Sequence, residues 1–315
     1  MTVDPEIQAM LQNIAEEKER LPGKITLERS REIYKQQYLS MSRHPEETVV
    51  KDVITLTEAA DVRLTFYRPK SLPARAPLIL YLHGGGFVLG DSSTYAHQSA
   101  RIALHCNALV AFLDYRLAPE HPFPAALGDT LAATRWLKGN TDRLNVDPER
   151  FVVMGDSAGG NLAIAAMRHY RAEKVFHHGT LLYPVTDLRS YLGMAAYSAS
   201  DEAFAAGYYL ERPAMEYFAR SYLPTPALAL DPQISPLLAD DLAGLPSVAV
   251  YGGEIDLLRD QGHQFAERLR QAGVTTRYLC FDGLIHNFMQ HSGVSRKSNE
   301  AFLRVCAELR AVIAN

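Results

Sequence analysis

Over roughly the first 45 residues, apolar positions recur at helical spacing. Ile7, Met10, Leu11 and Ile14 share one helical face, and Pro22-Gly23 interrupts the pattern. A second helix is predicted over 27–39, carrying Ile33, Tyr34 and Tyr38. The period then changes. Segments 49–55 and 63–67 read as strands, and the short acidic connection 58–61 between them predicts a hairpin. Further on, apolar strands are predicted at 78–82, 108–113, 151–154, 179–183, 247–251 and 275–281. Helical patterns at 95–105, 124–138, 158–171 and 260–271 lie between them. A last helix over 300–314 presents Phe302, Val305, Cys306, Leu309 and Ile313 as one stripe. Apolar strands separated by helices predict an α/β fold, with a mostly parallel central sheet flanked by helices. Residues 186–245 break the alternation. They are rich in Tyr and Phe and turn helical over 211–222, so they read as a helical insertion between two strands.

Composition narrows the function. The chain has 315 residues, 47% hydrophobic and 22% charged, enough for one large α/β domain with a sizeable core. The net charge of −4, with no basic block, gives no electrostatic footprint for nucleic acid. The mixed-sign run 16–20 reads as a solvated helix face. The N-terminus has no basic segment followed by an apolar core, and no stretch reaches the roughly 18–20 apolar residues of a membrane span. Cys106, Cys280 and Cys306 are too scattered for a disulfide framework or a metal cluster, and read as small buried apolar residues. The expectation is a soluble, cytoplasmic protein.

The chemistry starts at Gly155-Asp156-Ser157-Ala158-Gly159, a G-x-S-x-G pattern between the strand 151–154 and an Ala-rich helix. A sharp strand-to-helix turn forces the serine into a strained backbone conformation, and only small residues at 155 and 159 let strand and helix approach. The hydroxyl is then presented at a helix start, where N–H groups and the dipole favour a developing anion. Upstream, His83-Gly84-Gly85-Gly86-Phe87 follows the strand 78–82. Glycines there let N–H groups turn toward one point, so Gly85, Gly86 and Ala158 are expected to donate to a developing alkoxide. Gly84 is expected to donate as well or to shape the turn. His83 reads as a brace for the loop.

A serine nucleophile needs a base. Of the eleven histidines, His286 follows a predicted strand near the end of the chain, and Asp256 lies just beyond the strand 247–251. Both would project from the sheet edge that carries Ser157, where open α/β sheets bind ligands. The order Ser, Asp, His is the one this fold uses. Asp256 would orient the imidazole. Glu254 and Asp260 are the rival acids, Asp260 reading instead as a helix cap, and His291 is the rival base.

These motifs, with Asp114-Tyr115-Arg116-Leu117-Ala118-Pro119-Glu120 and the His286/Phe288 pair, resemble the hormone-sensitive-lipase-like esterases, particularly the bacterial acetyl esterase branch. The resemblance spans about residues 60–310. It implies the triad Ser157, Asp256 and His286, an oxyanion hole, and hydrolysis of short-chain acyl esters through a covalent acyl-enzyme, with no cofactor. It also implies a cap built from residues 1–45 and the insertion 186–245, over a catalytic unit of 46–185 and 246–315. Phe87, Tyr183 and Phe204 are the expected lining of the substrate pocket, and the charged groups at 114, 116 and 120 are expected to fix loops. The family often places a proline after the triad acid. Here Leu257 follows Asp256, which puts only the rigidity of that loop in question. The expected partner is a small ester, and a homodimer is left open. An amidase with the same triad (aryl acylamidase or formamidase) is the alternative. A non-catalytic ligand receptor is disfavoured, because Ser157, Asp256 and His286 are all present.

Overall fold

A computed structural model describes residues 2–20, 23, 25–44, 49–56 and 62–314. Pro22 and the connection 58–61 lie outside the described residues. The N-terminal periodicity becomes helices α1 (Pro5–Glu19) and α2 (Leu27–Ser42). Each starts on a side-chain cap: Asp4 accepts from the Ile7 N–H, and Thr26 from the Arg29 N–H. Strands β1 (Val49–Leu56) and β2 (Val62–Pro69) form the antiparallel pair expected of a hairpin. The alternating region follows as β3 (Ala76–Leu82), α3 (Ala96–Cys106), β4 (Leu109–Asp114), α4 (Ala125–Gly139) and the short α5 (Thr141–Leu144). Then come β5 (Val146–Asp156), α6 (Ala158–His169) and β6 (His178–Leu182). The insertion carries α7 (Ala199–Ala203) and α8 (Arg212–Tyr222), before β7 (Ser247–Ile255), α9 (Arg259–Gln271), β8 (Thr276–Ile285) and α10 (Arg296–Ile313).

The eight strands form one sheet in the order β1-β2-β4-β3-β5-β6-β7-β8. Pairing is antiparallel through β1-β2-β4 and parallel from β4 to β8. Every residue of β3 is buried, which is why its sequence is an unbroken apolar run rather than an alternation. Among the described residues no helix is long and apolar enough to cross a membrane. Cys106 and Cys306 are buried and Cys280 is half-buried.

Two strands outrun their sequence signal in a way that matters for the site. β7 and β8 end at Ile255 and Ile285, each four residues later than expected. Gly252 pairs with Cys280, Gly253 with Phe281 and Ile255 with Ile285, across a bulge. A Cβ on Gly253 would lie 2.7 Å from the Leu284 carbonyl oxygen, so glycine here permits close backbone approach within a strand. Asp256 and His286 therefore come directly off neighbouring strand ends.

Candidate active site

Ser157 sits between β5 and α6 with φ 51° and ψ −115°, the strained conformation expected of the turn. Its N–H donates to the Leu182 carbonyl at 2.9 Å and its own carbonyl accepts from Val185 N–H at 3.1 Å, so the end of β6 holds the elbow. The flanking glycines are steric necessities. A Cβ at 155 would meet the Gly159 carbonyl oxygen at 2.3 Å, and one at 159 would meet the Leu82 carbonyl oxygen at 1.9 Å.

Three groups distant in sequence converge here. His286 Nε2 lies 3.0 Å from Ser157 Oγ, and His286 Nδ1 lies 2.8 Å from Asp256 Oδ2. With Nδ1–H donating to the carboxylate, Nε2 is left to accept the serine proton. The other Asp256 oxygen accepts from Leu258 N–H at 2.9 Å, and both side chains of the His286–Asp256 pair are buried. The rivals are occupied elsewhere. Glu254 accepts from Gly283 N–H at 2.7 Å, bracing the strand ends. Asp260 does not cap α9, which begins at Arg259. Instead it accepts from Ser200 N–H at 2.8 Å and pairs with Arg259 at 2.9 Å, tying α7 to α9. His291 is fully buried, and burial pushes its pKa down to about 3, so its ring stays neutral.

The glycine loop after β3 faces the nucleophile. Gly85 and Gly86 have φ of 100° and 63°. No hydrogen bond among the described residues uses the N–H groups of Gly85, Gly86 or Ala158, the last at the first position of α6. Gly84 is different, and the expectation that it also donates to substrate is corrected. Its N–H donates to Asp156 Oδ1 at 3.0 Å, so Gly84 shapes the turn. A Cβ on it would lie 2.5 Å from Asp156 Oδ2.

Asp156, one residue before the nucleophile, is a buried hub. It also accepts from Tyr81 at 2.7 Å and Tyr95 at 3.1 Å, and burial pushes its carboxyl up to about 6 despite those bonds. His83 lies between the rings of Tyr115 and Phe112, with nearly parallel planes, and its Nδ1 bonds the Gly84 carbonyl at 2.7 Å. Burial takes its pKa down to about 4, which suits a neutral brace. Arg31 of α2 reaches the loop from outside: Nε donates to the Val88 carbonyl at 2.9 Å and Nη2 to the Ala118 carbonyl at 3.1 Å. The same guanidinium grips Glu120. Asp114 accepts from Ser92 N–H, and Arg116 pairs with the buried Asp129, so these charges fix loops.

Ser157, His286, Gly85 and Gly86 open onto a cavity of about 1400 Å³ whose far wall comes from α1, α2 and the segment around α8. None of Phe87, Tyr183 and Phe204, the rings expected to line it, is on that wall. Phe87 has a left-handed φ of 64° and stacks on Tyr222 at 3.7 Å. Tyr183 packs edge-on against the His286 ring at 4.7 Å, and Phe204 packs on Tyr208 beneath the Arg259 guanidinium. The wall is instead formed by Met10, Ile14, Tyr34, Tyr209, Met215 and Phe218. The sequence signals for these were the helical spacing of Met10 and Ile14, the second helix carrying Tyr34, and the Tyr- and Phe-rich insertion that turns helical over 211–222. A Cβ on Gly86 would lie 2.2 Å from the Phe218 ring, so α8 presses on the glycine loop.

The chain is similar to known proteins. The family described as alpha/beta hydrolase fold matches residues 79–290. An ethyl acetate hydrolase of Pseudomonas putida is 31% identical, the alignment covering 98% of this chain and 99% of that protein. An esterase of Mycobacterium tuberculosis is 34% identical, over 93% of this chain and 92% of its own length. Among solved structures, a hyperthermophilic esterase from Pyrobaculum calidifontis superposes with a TM-score of 0.90 at 32% identity, both chains being covered completely. An ester hydrolase from the metagenome of Lake Arreo, complexed with a bipyridine phosphonate derivative, gives 0.91 at 33% identity, again over both whole chains. With a family match over most of its length and full-length relatives above 30% identity, this chain belongs to the α/β-hydrolase family, among the hormone-sensitive-lipase-like esterases its motifs resemble.

Proposed function

We propose that this protein is a serine carboxylesterase that hydrolyses short-chain acyl esters through a covalent acyl-enzyme. The observation that carries the reading is the hydrogen-bonded line from Ser157 Oγ through His286 to Asp256, beside three N–H groups that no hydrogen bond among the described residues uses. Ser157 Oγ attacks the ester carbonyl carbon while His286 Nε2 takes its proton. Asp256 holds the ring in the tautomer that leaves Nε2 free, and stabilises the imidazolium. The carbonyl oxygen becomes an alkoxide against the N–H groups of Gly85, Gly86 and Ala158. The tetrahedral intermediate collapses, His286 protonates the departing alcohol, and Ser157 keeps the acyl group. Water, deprotonated by His286, then releases the carboxylic acid and regenerates the serine.

Residues 1–45 and 186–245 act as a cap over the catalytic unit of 46–185 and 246–315. Supporting this, α1, α2 and the α8 region supply the wall opposite Ser157. The short-chain preference is supported by the name of the Pseudomonas putida relative, an ethyl acetate hydrolase. Ser157→Ala is expected to lower turnover by several powers of ten in a folded protein and to abolish fluorophosphonate labelling. Retained turnover in that variant overturns the reading. A p-nitrophenyl ester series tests the chain length, and an optimum at decanoyl or longer removes the short-chain assignment.

A further inference from the structure

Helix α1 crosses the cavity from the catalytic base to the insertion. At its start the Asp4 N–H donates to the Gly283 carbonyl at 3.0 Å, and the Asp4 carboxylate accepts from Ser295 Oγ at 3.0 Å. That end therefore sits beside the strand that leads into His286. At its other end Lys18 pairs with Glu211 at 3.0 Å, at the start of α8. The end of α2 also lies on the base side. Met41 Sδ accepts from Gln290 Nε2 at 3.8 Å, and a Cβ on Gly293 would lie 2.6 Å from the Met41 carbonyl oxygen. The cavity lining thus divides into two sides. Met10, Met41 and Val294 flank the base, and Leu210, Met215 and Phe218 face it from the insertion.

The two sides differ in room. Toward α8 the wall closes in, since a Cβ on Gly86 would lie 2.2 Å from the Phe218 ring. On the base side two unbranched methionines form an adaptable lining. Val294, 38% exposed, carries that apolar lining out to the surface. The whole cavity, about 1400 Å³, exceeds the roughly 300–1,000 Å³ of an ordinary ligand pocket and is far larger than a short acyl group. Chemistry decides which half of an ester comes to which side. His286 Nε2 must deliver its proton to the leaving oxygen, so the alcohol lies over the base and the acyl chain points away from it. We propose that the lobe lined by Met10, Met41 and Val294 is an alcohol subsite, and that the preferred substrates join a short acyl group to a long or bulky apolar alcohol. This assignment rests on the carboxylesterase reading above, and names which half of the ester fills the cavity. Water cleaves the ester bond as before, releasing a short carboxylic acid and an apolar alcohol.

Hexyl acetate and ethyl hexanoate test this directly, because they are isomers that differ only in which side of the ester is long. The experiment measures kcat/KM for both by pH-stat, and divides their ratio by the ratio for alkaline hydrolysis. The wild type is expected to favour hexyl acetate by about tenfold after that correction, well within what burying the extra methylenes of the hexyl group supplies. A corrected ratio at or below one overturns the subsite, and this criterion needs no variant. Val294→Trp then places a ring at the opening of the lobe, at a position exposed enough to hold it. The ratio of hexyl acetate to ethyl acetate is expected to fall at least about fivefold in a folded V294W. An unchanged ratio there removes Val294 and its lobe from the alcohol's path, and overturns the assignment. A fluorophosphonate probe on the wild type keeps the two readings apart. No labelling and no hydrolysis of any ester sinks the carboxylesterase reading, whereas labelling with no preference between the isomers sinks the subsite alone.

Discussion

Replacing Asp156 with asparagine removes one buried charge while keeping the shape of the hub that shapes the glycine loop. In the wild type, burial pushes this carboxyl up to about 6 from an ordinary 3.8, against the pull of its bonds from Tyr81, Tyr95 and Gly84. The folded chain therefore holds the proton more tightly than the unfolded chain. Stability from this group is fully present below the unfolded value of 3.8 and is lost as pH rises through about 6. At about 1.36 kcal/mol per pH unit the whole loss is about 3 kcal/mol, of which about 2 kcal/mol falls between roughly pH 4.5 and 7.5. Asparagine exchanges no proton over that range. The stability of wild type minus D156N should therefore fall by about 2 kcal/mol from pH 4.5 to 7.5, or about 3 °C in Tm for 315 residues.

Urea unfolding of both proteins at the two pH values measures this difference, and subtracting the variant cancels the other titrating groups. A difference that stays constant, or that grows with pH, refutes the reasoning. Catalysis should suffer less. The asparagine oxygen can still accept from Tyr81 and Gly84, and Tyr95 can turn its proton to Tyr34, 3.1 Å away. D156N should accordingly keep kcat within about tenfold, the loss being the charge assistance of those bonds.

Gly86→Ala faces both a positive φ and the Phe218 ring, so kcat/KM should fall about 10²–10³-fold, the scale of a lost oxyanion donor. Adding Phe218→Ala should recover only the steric part, and near-normal ester kinetics in G86A would remove Gly86 as a donor. Arg31→Met frees the Val88 and Ala118 carbonyls, and is expected to lower kcat about tenfold with little change in KM. Arg31→Lys should not rescue it, because an ammonium cannot reproduce the fork. Unchanged kcat in both variants would show that α2 does not steady the loop.

The parts of the site legible in the sequence were those that local rules determine. Strand, turn and helix around Ser157 follow from apolar periodicity and two glycines whose missing side chains the backbone needs. The positions of Asp256 and His286 could be read as strand-end loops because a parallel sheet presents all its C-terminal ends along one edge. That they come straight off β7 and β8 was not legible. Gly252 and Gly253 carry no strand signal of their own until the partner strand is present to pair them. Gly84 was misread in part because a backbone N–H carries no sequence mark of its partner, and Asp156 claims it from 72 residues away. The pocket aromatics failed for a related reason. Phe87, Tyr183 and Phe204 are buried rings, but a ring packed on Tyr222 or on His286 has the same pattern in sequence as one facing substrate.

Leu257 shows how a missing local constraint is replaced from far along the chain. The residue after Asp256 lacks the proline its family often uses, yet its side chain is buried and its carbonyl accepts from Ser200 Oγ at 2.8 Å. Ser200 Oγ also accepts from Asp260 N–H at 3.1 Å, and the Asp260 carboxylate accepts from Ser200 N–H. Helix α7 of the insertion thus clamps the turn that carries Asp256 on both sides, doing through hydrogen bonds what a ring does by fixing φ. Ser200→Ala leaves a buried carbonyl and an N–H unpaired, a destabilisation of about 1–3 kcal/mol. If the clamp holds Asp256 in line with His286, kcat should fall several-fold as well, while KM moves little. A lowered Tm with full kcat would mean that burial of Leu257 alone keeps the carboxylate in place, and that the insertion stabilises the fold without steadying the triad.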